Sequence, residues 1–172
     1  MGEEEIITLL RHKRHDWMNQ IQLIQGYASL GKQDRLLDQI SQVKDEAEQE
    51  RRLLNSRSPA FTLWLMSFNY ELEQFRLTYE LKENIDLSRH DSTLLAYGKK
   101  LLQLMEMHHV DGELYEGTVT LYKGDQPSMV GVSWEWDGVF QDGQELKRKL
   151  DEEGFISTIF EDQELSVEMT IE

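Results

Sequence analysis

"ITLLRHKRHDWMNQIQLIQGYA" (residues 7–28) decides how the chain begins. Ile7, Leu10, Arg14, Trp17, Ile21, Ile24 and Ala28 follow one another at alternating spacings of three and four. That is the seven-residue seam of a helix that packs on another helix, broken only by Arg14. Leu36, Ile40, Val43, Ala47, Glu50 and Leu54 repeat the alternation. Between the two runs, "GKQD" (31–34) offers Gly31 as a helix stop and Asp34 as a cap for the next start. So short a link folds the two helices back as an antiparallel hairpin.

A hairpin with one seam per helix buries little and leaves Met18, Leu37 and Leu53 partly exposed. Small helical units need a partner to complete a core. Two hairpins make a four-helix bundle, so the pattern predicts a homodimer through residues 1–57. A hairpin packed on the chain's own C-terminal part is the competing reading.

"NSRSP" (55–59) ends the second helix, because Pro59 disfavours helix at Ser58. Beyond it the pattern alternates. "PAFTLWLMSFNYELEQ" reads as a buried helix and "FRLTYELK" as a strand. "DSTLLAYGKKLLQLMEMHHV" is a long amphipathic helix. "GTVTLYKG" and "MVGVSWEWDG" are strands joined by a turn around Gly124, Asp125 and Pro127. "DGQELKRKLDEEG" is a helix ending at Gly154, and "FISTIFED" with "ELSVEMTIE" forms a terminal hairpin. The class is α+β: an N-terminal helical hairpin (1–57), then helices layered over a mostly antiparallel sheet (58–172).

Charge narrows the partners. With 18 Lys and Arg against 33 Asp and Glu, the formal net charge is −15. Nucleic acid and anionic membrane both reward positive charge and are poor partners for such a surface. The absence of cysteine removes disulfides, thiolate catalysis and cysteine-ligated metal. No apolar run reaches the roughly 18 residues of a membrane helix. "MGEEEII" lacks the order of a signal peptide, and Ile6 stands where myristoylation wants Ser or Thr. The expectation is a cytoplasmic protein.

On a helical wheel, His15 lies about 140° from the centre of the seam, on the solvent side. Near its direction lie Arg11, Asn19, Gln22 and Gly26. Gly26 costs a helix interior about 1 kcal/mol against Ala, and its smallness would let another protein come close. Most exposed histidines are merely solvated, and two histidines, His12 and His15, are too few for a metal site. A neutral imidazole nonetheless offers a nucleophilic nitrogen that can accept a phosphoryl group. Arg11, Lys13 and Arg14 would supply positive charge near the transferring group. Phosphoryl transfer needs in-line geometry and charge neutralisation more than covalent machinery.

"RHDWMNQIQLIQG" (14–26) resembles the phosphoacceptor segment of the sporulation initiation phosphotransferase B family, related to sensor histidine kinases. Arg14, His15, Asp16, Asn19, Ile24 and Gly26 carry the likeness. The resemblance implies a dimeric four-helix bundle. It implies a phosphoryl group passed from the phospho-aspartate of one response regulator, through His15, to the aspartate of another. Arg14, Asp16 and Asn19 would surround the acceptor. The chain would hold no cofactor of its own, the Mg2+ belonging to the partner's receiver domain. The C-terminal part would resemble a degenerate histidine-kinase ATP-binding domain.

A true ATP-using histidine kinase is the runner-up, and a non-enzymatic dimeric adaptor the third reading. The kinase reading lacks chemistry: "LLQLMEMHHV" (101–110) offers Gln103 and Glu106 but no Asn. Asp137-Gly138 and Asp142-Gly143 lack the spacing of the kinase glycine boxes, so no nucleotide site is expected. His108 and His109 read as cations at a helix C-terminus, and His90 as the start of a helix without a partner pattern. Trp64, Trp134 and Trp136 read as packing rather than a base-stacking platform.

Overall fold

The computed structural model describes residues 2–126 and 128–172; Pro127 of the expected turn lies outside them. The chain divides into two compact units, Met1–Arg51 and Arg52–Glu172.

The first unit is the hairpin. Helix α1 spans Glu3–Ser29 and α2 spans Gln33–Leu54, running into the second unit. Three glutamates occupy the first turn of α1, where the helix dipole favours negative charge. Gly31, at φ 64°, stops the helix as expected, in the left-handed conformation glycine adopts freely. The Gly31 N–H donates to the Ala28 carbonyl at 3.2 Å and the Lys32 N–H to the Tyr27 carbonyl at 3.0 Å. These two bonds satisfy carbonyls that the helix end leaves open. They also turn the chain so tightly that α2 starts at Gln33. Asp34 therefore sits inside its first turn and is not the cap.

Polar pairs tie the hairpin. The Lys13 ammonium is ion-paired with the Glu50 carboxylate, and Gln20 Nε2 donates to Glu46 Oε2 at 2.6 Å. The less exposed residues of α1 are Leu9, Lys13, Gln20, Ile21, Ile24 and Tyr27. The expected seam runs onto the tied side only at its C-terminal end, through the half-buried Ile21 and Ile24. Ile7, Leu10 and Trp17 are 49%, 58% and 60% exposed. At about 100° per residue they lie roughly a quarter-turn around the helix from the tied side. On α2 the expected seam does meet the tied side, with Leu36, Val43 and Glu50 half-buried, while Leu37 and Ile40 are exposed. Helix α1 thus has one face toward α2 and a second, uncovered apolar strip, and α2 adds exposed apolar side chains of its own.

The second unit is a mixed five-stranded sheet with helices on one face. Its elements are α3 (Pro59–Glu71), β1 (Phe75–Leu81), α4 (Asp91–Met107), β2 (Tyr115–Lys123), β3 (Val130–Asp137), α5 (Gly143–Glu152), β4 (Ile156–Phe160) and β5 (Glu164–Ile171). The strand order is β1-β2-β3-β5-β4. Strand β1 runs parallel to β2, and the other pairings are antiparallel. The α+β class read from the pattern is the class observed.

Alternate strand residues point into the core: Phe75, Leu77 and Leu81; Tyr115, Val119 and Leu121; Val132, Trp134 and Trp136; Leu165, Val167, Met169 and Ile171. Aromatic rings fill much of the space beneath the helices. Trp64 meets Phe68 and Trp134 edge-on, and Phe75 stacks on Tyr115 at 4.8 Å between centroids. Trp64 and its neighbours are packing, as read. Leu53 is fully buried in this core, not exposed on the hairpin. The α3 N-terminus is closed by the Asp91 carboxylate, which accepts from the N–H groups of Ala60 (3.1 Å) and Phe61 (2.8 Å).

His108 is the C-cap residue of α4. It is buried, and its Nδ1 donates to the Gln141 carbonyl at 2.9 Å. Its Nε2 faces the Lys149 ammonium at 3.4 Å, which can only donate. His90 begins α4 as expected, and is buried with Nε2 donating to the Ser128 carbonyl at 3.2 Å.

Candidate functional site

The site is one face of α1. Arg11, His15, Asn19, Gln22 and Gly26 all lie on this helix and are all exposed. Their spacing places them within about 40° of His15 on the wheel, on the side away from both the tied face and the uncovered apolar strip. The His15 side chain is 74% exposed. A rigid helix presents it, and nothing in the hairpin shields it.

Two groups stand at one nitrogen of the ring. Asn19 Nδ2 is 3.3 Å from His15 Nδ1, and Asp16 Oδ1 is 3.5 Å from the same atom. The Nε2 atom meets no protein partner among the described residues. The Asp16 carboxylate can only accept and favours a proton on Nδ1, whereas the Asn19 NH2 group can only donate and favours a lone pair there. With the proton on Nδ1, the free lone pair is on Nε2.

The basic residues separate into two groups. Arg11 and Arg14 are exposed, and neither takes part in an ion pair among the described residues. Arg11 precedes His15 by one helical turn on the same strip. Arg14 lies about 100° round the helix from His15, on the uncovered apolar side. Lys13 is the correction: its ammonium is held by Glu50, about 160° from His15, and does not serve the imidazole. Adjacent basic residues in sequence are spread around a helix, and half of an antiparallel hairpin's surface faces its neighbour. Counting outward from Gly31 brings Lys13 level with Glu50, a signal the sequence carried.

Gly26 has open space around it: a Cβ built there meets nothing within 4 Å. Its absence of side chain is not required by packing inside the chain. The strip is therefore flat at that end. His12 is exposed, and no group of three or more His, Asp or Glu among the described residues is arranged to hold a metal ion.

In the second unit, a groove of about 430 Å³ is lined by Leu72, Gln74, Phe75 and His109 and rimmed by Glu71, Glu73 and Glu106. Its three carboxylates oppose the phosphates of a nucleotide. Glu106 stands on α4, in the segment 101–110 that offers no Asn.

Comparison with known proteins bears on both units. Residues 1–56 match the domain described as sensor kinase SpoOB-type, alpha-helical domain. Residues 57–172 match the one described as sporulation initiation phospho-transferase B, C-terminal. Sporulation initiation phosphotransferase B of Bacillus subtilis (strain 168) is 39% identical over 103 residues, 59% of this chain and 54% of that protein. The match thus spans about half the length of that relative. A blue-light activated histidine kinase of Erythrobacter litoralis aligns over 99% of this chain and 60% of its own, with a TM-score of 0.42 and 12% identity. No helix among the described residues is long and apolar enough to cross a membrane.

Proposed function

Because the chain belongs to the sporulation initiation phosphotransferase B family, we propose that it is a phosphorelay phosphotransferase whose acceptor is His15. The single observation that carries this reading is the exposed imidazole with Asp16 and Asn19 at Nδ1 and nothing at Nε2. The donor is the phospho-aspartate of one response-regulator receiver domain. The final acceptor is the aspartate of a second.

The step balances without help from a third reactant. The Nε2 lone pair attacks phosphorus in line with the aspartyl oxygen. The P–O bond breaks, the aspartate leaves as a carboxylate, and the N–P bond forms. The Nδ1 proton stays on the ring, which becomes a phospho-imidazolium. Asp16 beside Nδ1 stabilises that new positive charge, as an orienting carboxylate does for an imidazolium elsewhere. Asn19 limits rotation of the ring. Arg11 draws the phosphoryl oxygens toward the strip. Transfer to the second receiver is the same step reversed, and direction follows partner concentrations.

Two further elements belong to the proposal. The uncovered strip of α1 and the exposed apolar side chains of α2 pair with those of a second copy, giving a four-helix bundle and a homodimer. The strip bearing His15 then faces out of the bundle, where a receiver can dock over Gly26. The divalent cation of the reaction is Mg2+ held in the receiver's acidic pocket. The chain's charge of −15 gives no long-range attraction to such a pocket, so local apolar contact and Arg11 must supply the affinity.

A reconstituted relay tests this. A labelled phospho-receiver is mixed with an unlabelled second receiver, with and without the chain. Label reaches the second receiver only with the chain present. Labelling of the chain from ATP alone means a kinase instead, and labelling from neither donor means an adaptor.

A further inference from the structure

The second face of the sheet carries charge and apolar surface that the phosphoryl-transfer reading does not use. This face holds Arg76, Thr78 and Glu80 of β1, Glu116 and Thr118 of β2, Glu135 and Asp137 of β3, and Glu164, Ser166, Glu168 and Thr170 of β5. No helix covers it. At the edge, β4 adds Ile156, Thr158 and Phe160. A solvated sheet face normally alternates to polar residues. Here Ile156 is 70% exposed and Phe160 62% exposed, on the same side of the same strand. They stand in register with Glu168 and Glu164 of β5.

The carboxylates beside them are arranged at a cost. Glu116 is the direct cross-strand partner of Asp137, and Asp137 of Glu164. Three carboxylates therefore lie in one row on three adjacent strands, each strand about 4.8 Å from the next. Like charges directly opposite destabilise a sheet. The row is not neutralised from within. Arg76 is in register with Glu116, yet its guanidinium donates to the carbonyls of Leu72 and Phe75. The carboxylates of Glu116, Glu135, Asp137, Glu164 and Glu168 make no ion pair or hydrogen bond among the described residues. Around α5, by contrast, acids are paired: Glu145 and Glu152 with Arg148, Asp151 with Lys147, Glu153 with Lys100. Nor are the carboxylates of the face arranged as a metal site.

We propose that this face docks a cationic protein segment, its Lys or Arg side chains over the row Glu116–Asp137–Glu164 and an apolar side chain against Phe160 and Ile156. Charge complementarity selects the partner. A basic segment relieves the like-charge repulsion, and the two exposed side chains on the edge strand give it an apolar anchor beside the row. Nucleic acid and anionic lipid are repelled by the same row. The surface is distinct from the His15 strip and lies in the other unit.

The probe is a fluorescein-labelled peptide alternating Lys with Leu, titrated into the full chain and read by anisotropy. A variant with Glu116→Gln, Asp137→Asn and Glu164→Gln binds at least about tenfold more weakly. A control that neutralises three exposed acids of the hairpin, Glu3→Gln, Asp34→Asn and Asp38→Asn, binds as the parent does. Phe160→Ser with Ile156→Ser also weakens binding, and the matched peptide alternating Glu with Leu does not bind. Equal loss in face variant and hairpin control means bulk charge alone and overturns the proposal. So does unchanged binding in the face variant. Saturable binding of Ca2+ to the parent that the face variant loses assigns the row to a metal and overturns it too. Melting curves guard the result, since removing the repulsion raises the melting temperature of the face variant.

Discussion

Asn19 Nδ2 stands 3.3 Å from His15 Nδ1, one helical turn further along α1. A side chain that limits the ring's rotation changes how often Nε2 points at a docked phosphate. It does not change whether the phosphate docks. Asn19→Ala is therefore expected to slow phosphoryl acceptance by about tenfold at unchanged affinity for the receiver. Single-turnover transfer rates beside binding isotherms check it. A change in affinity alone would place Asn19 in the docking surface instead.

Lys13 and Arg11 separate stability from chemistry. The Lys13–Glu50 pair ties α1 to α2, while Arg11 makes no ion pair among the described residues. Lys13→Ala lowers stability by up to about 1 kcal/mol and leaves the transfer rate near that of the parent. Arg11→Ala leaves stability within about 0.5 kcal/mol and slows transfer. Thermal melts and transfer rates on both variants distinguish them.

Gly26 is unfavourable for the helix and unnecessary for packing. Gly26→Ala is expected to stabilise the chain by about 1 kcal/mol. Gly26→Trp keeps the helix but raises a ring over the flat end of the strip, and weakens receiver binding. A melting temperature that falls in Gly26→Ala would contradict the open surroundings of this position.

The uncovered strip makes the oligomeric state testable. Trp17→Lys with Leu10→Lys places two charges on it, away from His15. Sedimentation equilibrium is expected to show the parent as a dimer and this variant as a monomer. An unchanged dimer would assign the interface to another surface.

Acid lability has an identifiable contributor at the edge of the sheet. The Lys147 ammonium and, next, the Ser157 hydroxyl hold the Asp151 carboxyl below the usual carboxylate range. Ser157 Oγ donates to Asp151 Oδ1 at 2.6 Å, fastening β4 to α5. The folded pKa lies below the unfolded one, so this stabilisation is present above the unfolded value of about 3.9 and disappears as pH falls through the folded value. Asp151→Asn should lower the melting temperature at pH 7. The gap to the parent should close as pH falls below about 4. A gap constant with pH would contradict the sign.

The elements themselves were legible because their signals are local. Gly31 and Gly154, both at positive φ, end helices where the sequence placed the stops, and strict alternation marks β2, β3 and β5. What covers a face was not legible. Periodicity groups Leu36, Val43 and Leu54, but it does not say that neighbouring Leu53 is buried in the second unit. Nor does it say that Ile7, Leu10 and Trp17 are turned from the tied side of α1. Wheel geometry placed His15 outward correctly, yet the basic run around it read as one patch until Glu50 claimed Lys13. The strand order, with β5 between β3 and β4 and β1 parallel to β2, rests on pairings distant in sequence that no local signal records. The burial of His108 at the end of α4 was not legible either, because its partners Gln141 and Lys149 come from far along the chain.

The central claim is that His15 takes a phosphoryl group from a receiver's aspartate. Its most direct measurement is to incubate the full chain with an aspartate-phosphorylated receiver domain, then locate the added phosphoryl group by mass spectrometry under alkaline conditions that preserve phosphohistidine. The account predicts modification at His15, none in His15→Gln although that variant still dimerises, and none when ATP replaces the receiver. Modification at another residue, or transfer that persists in His15→Gln, would contradict it.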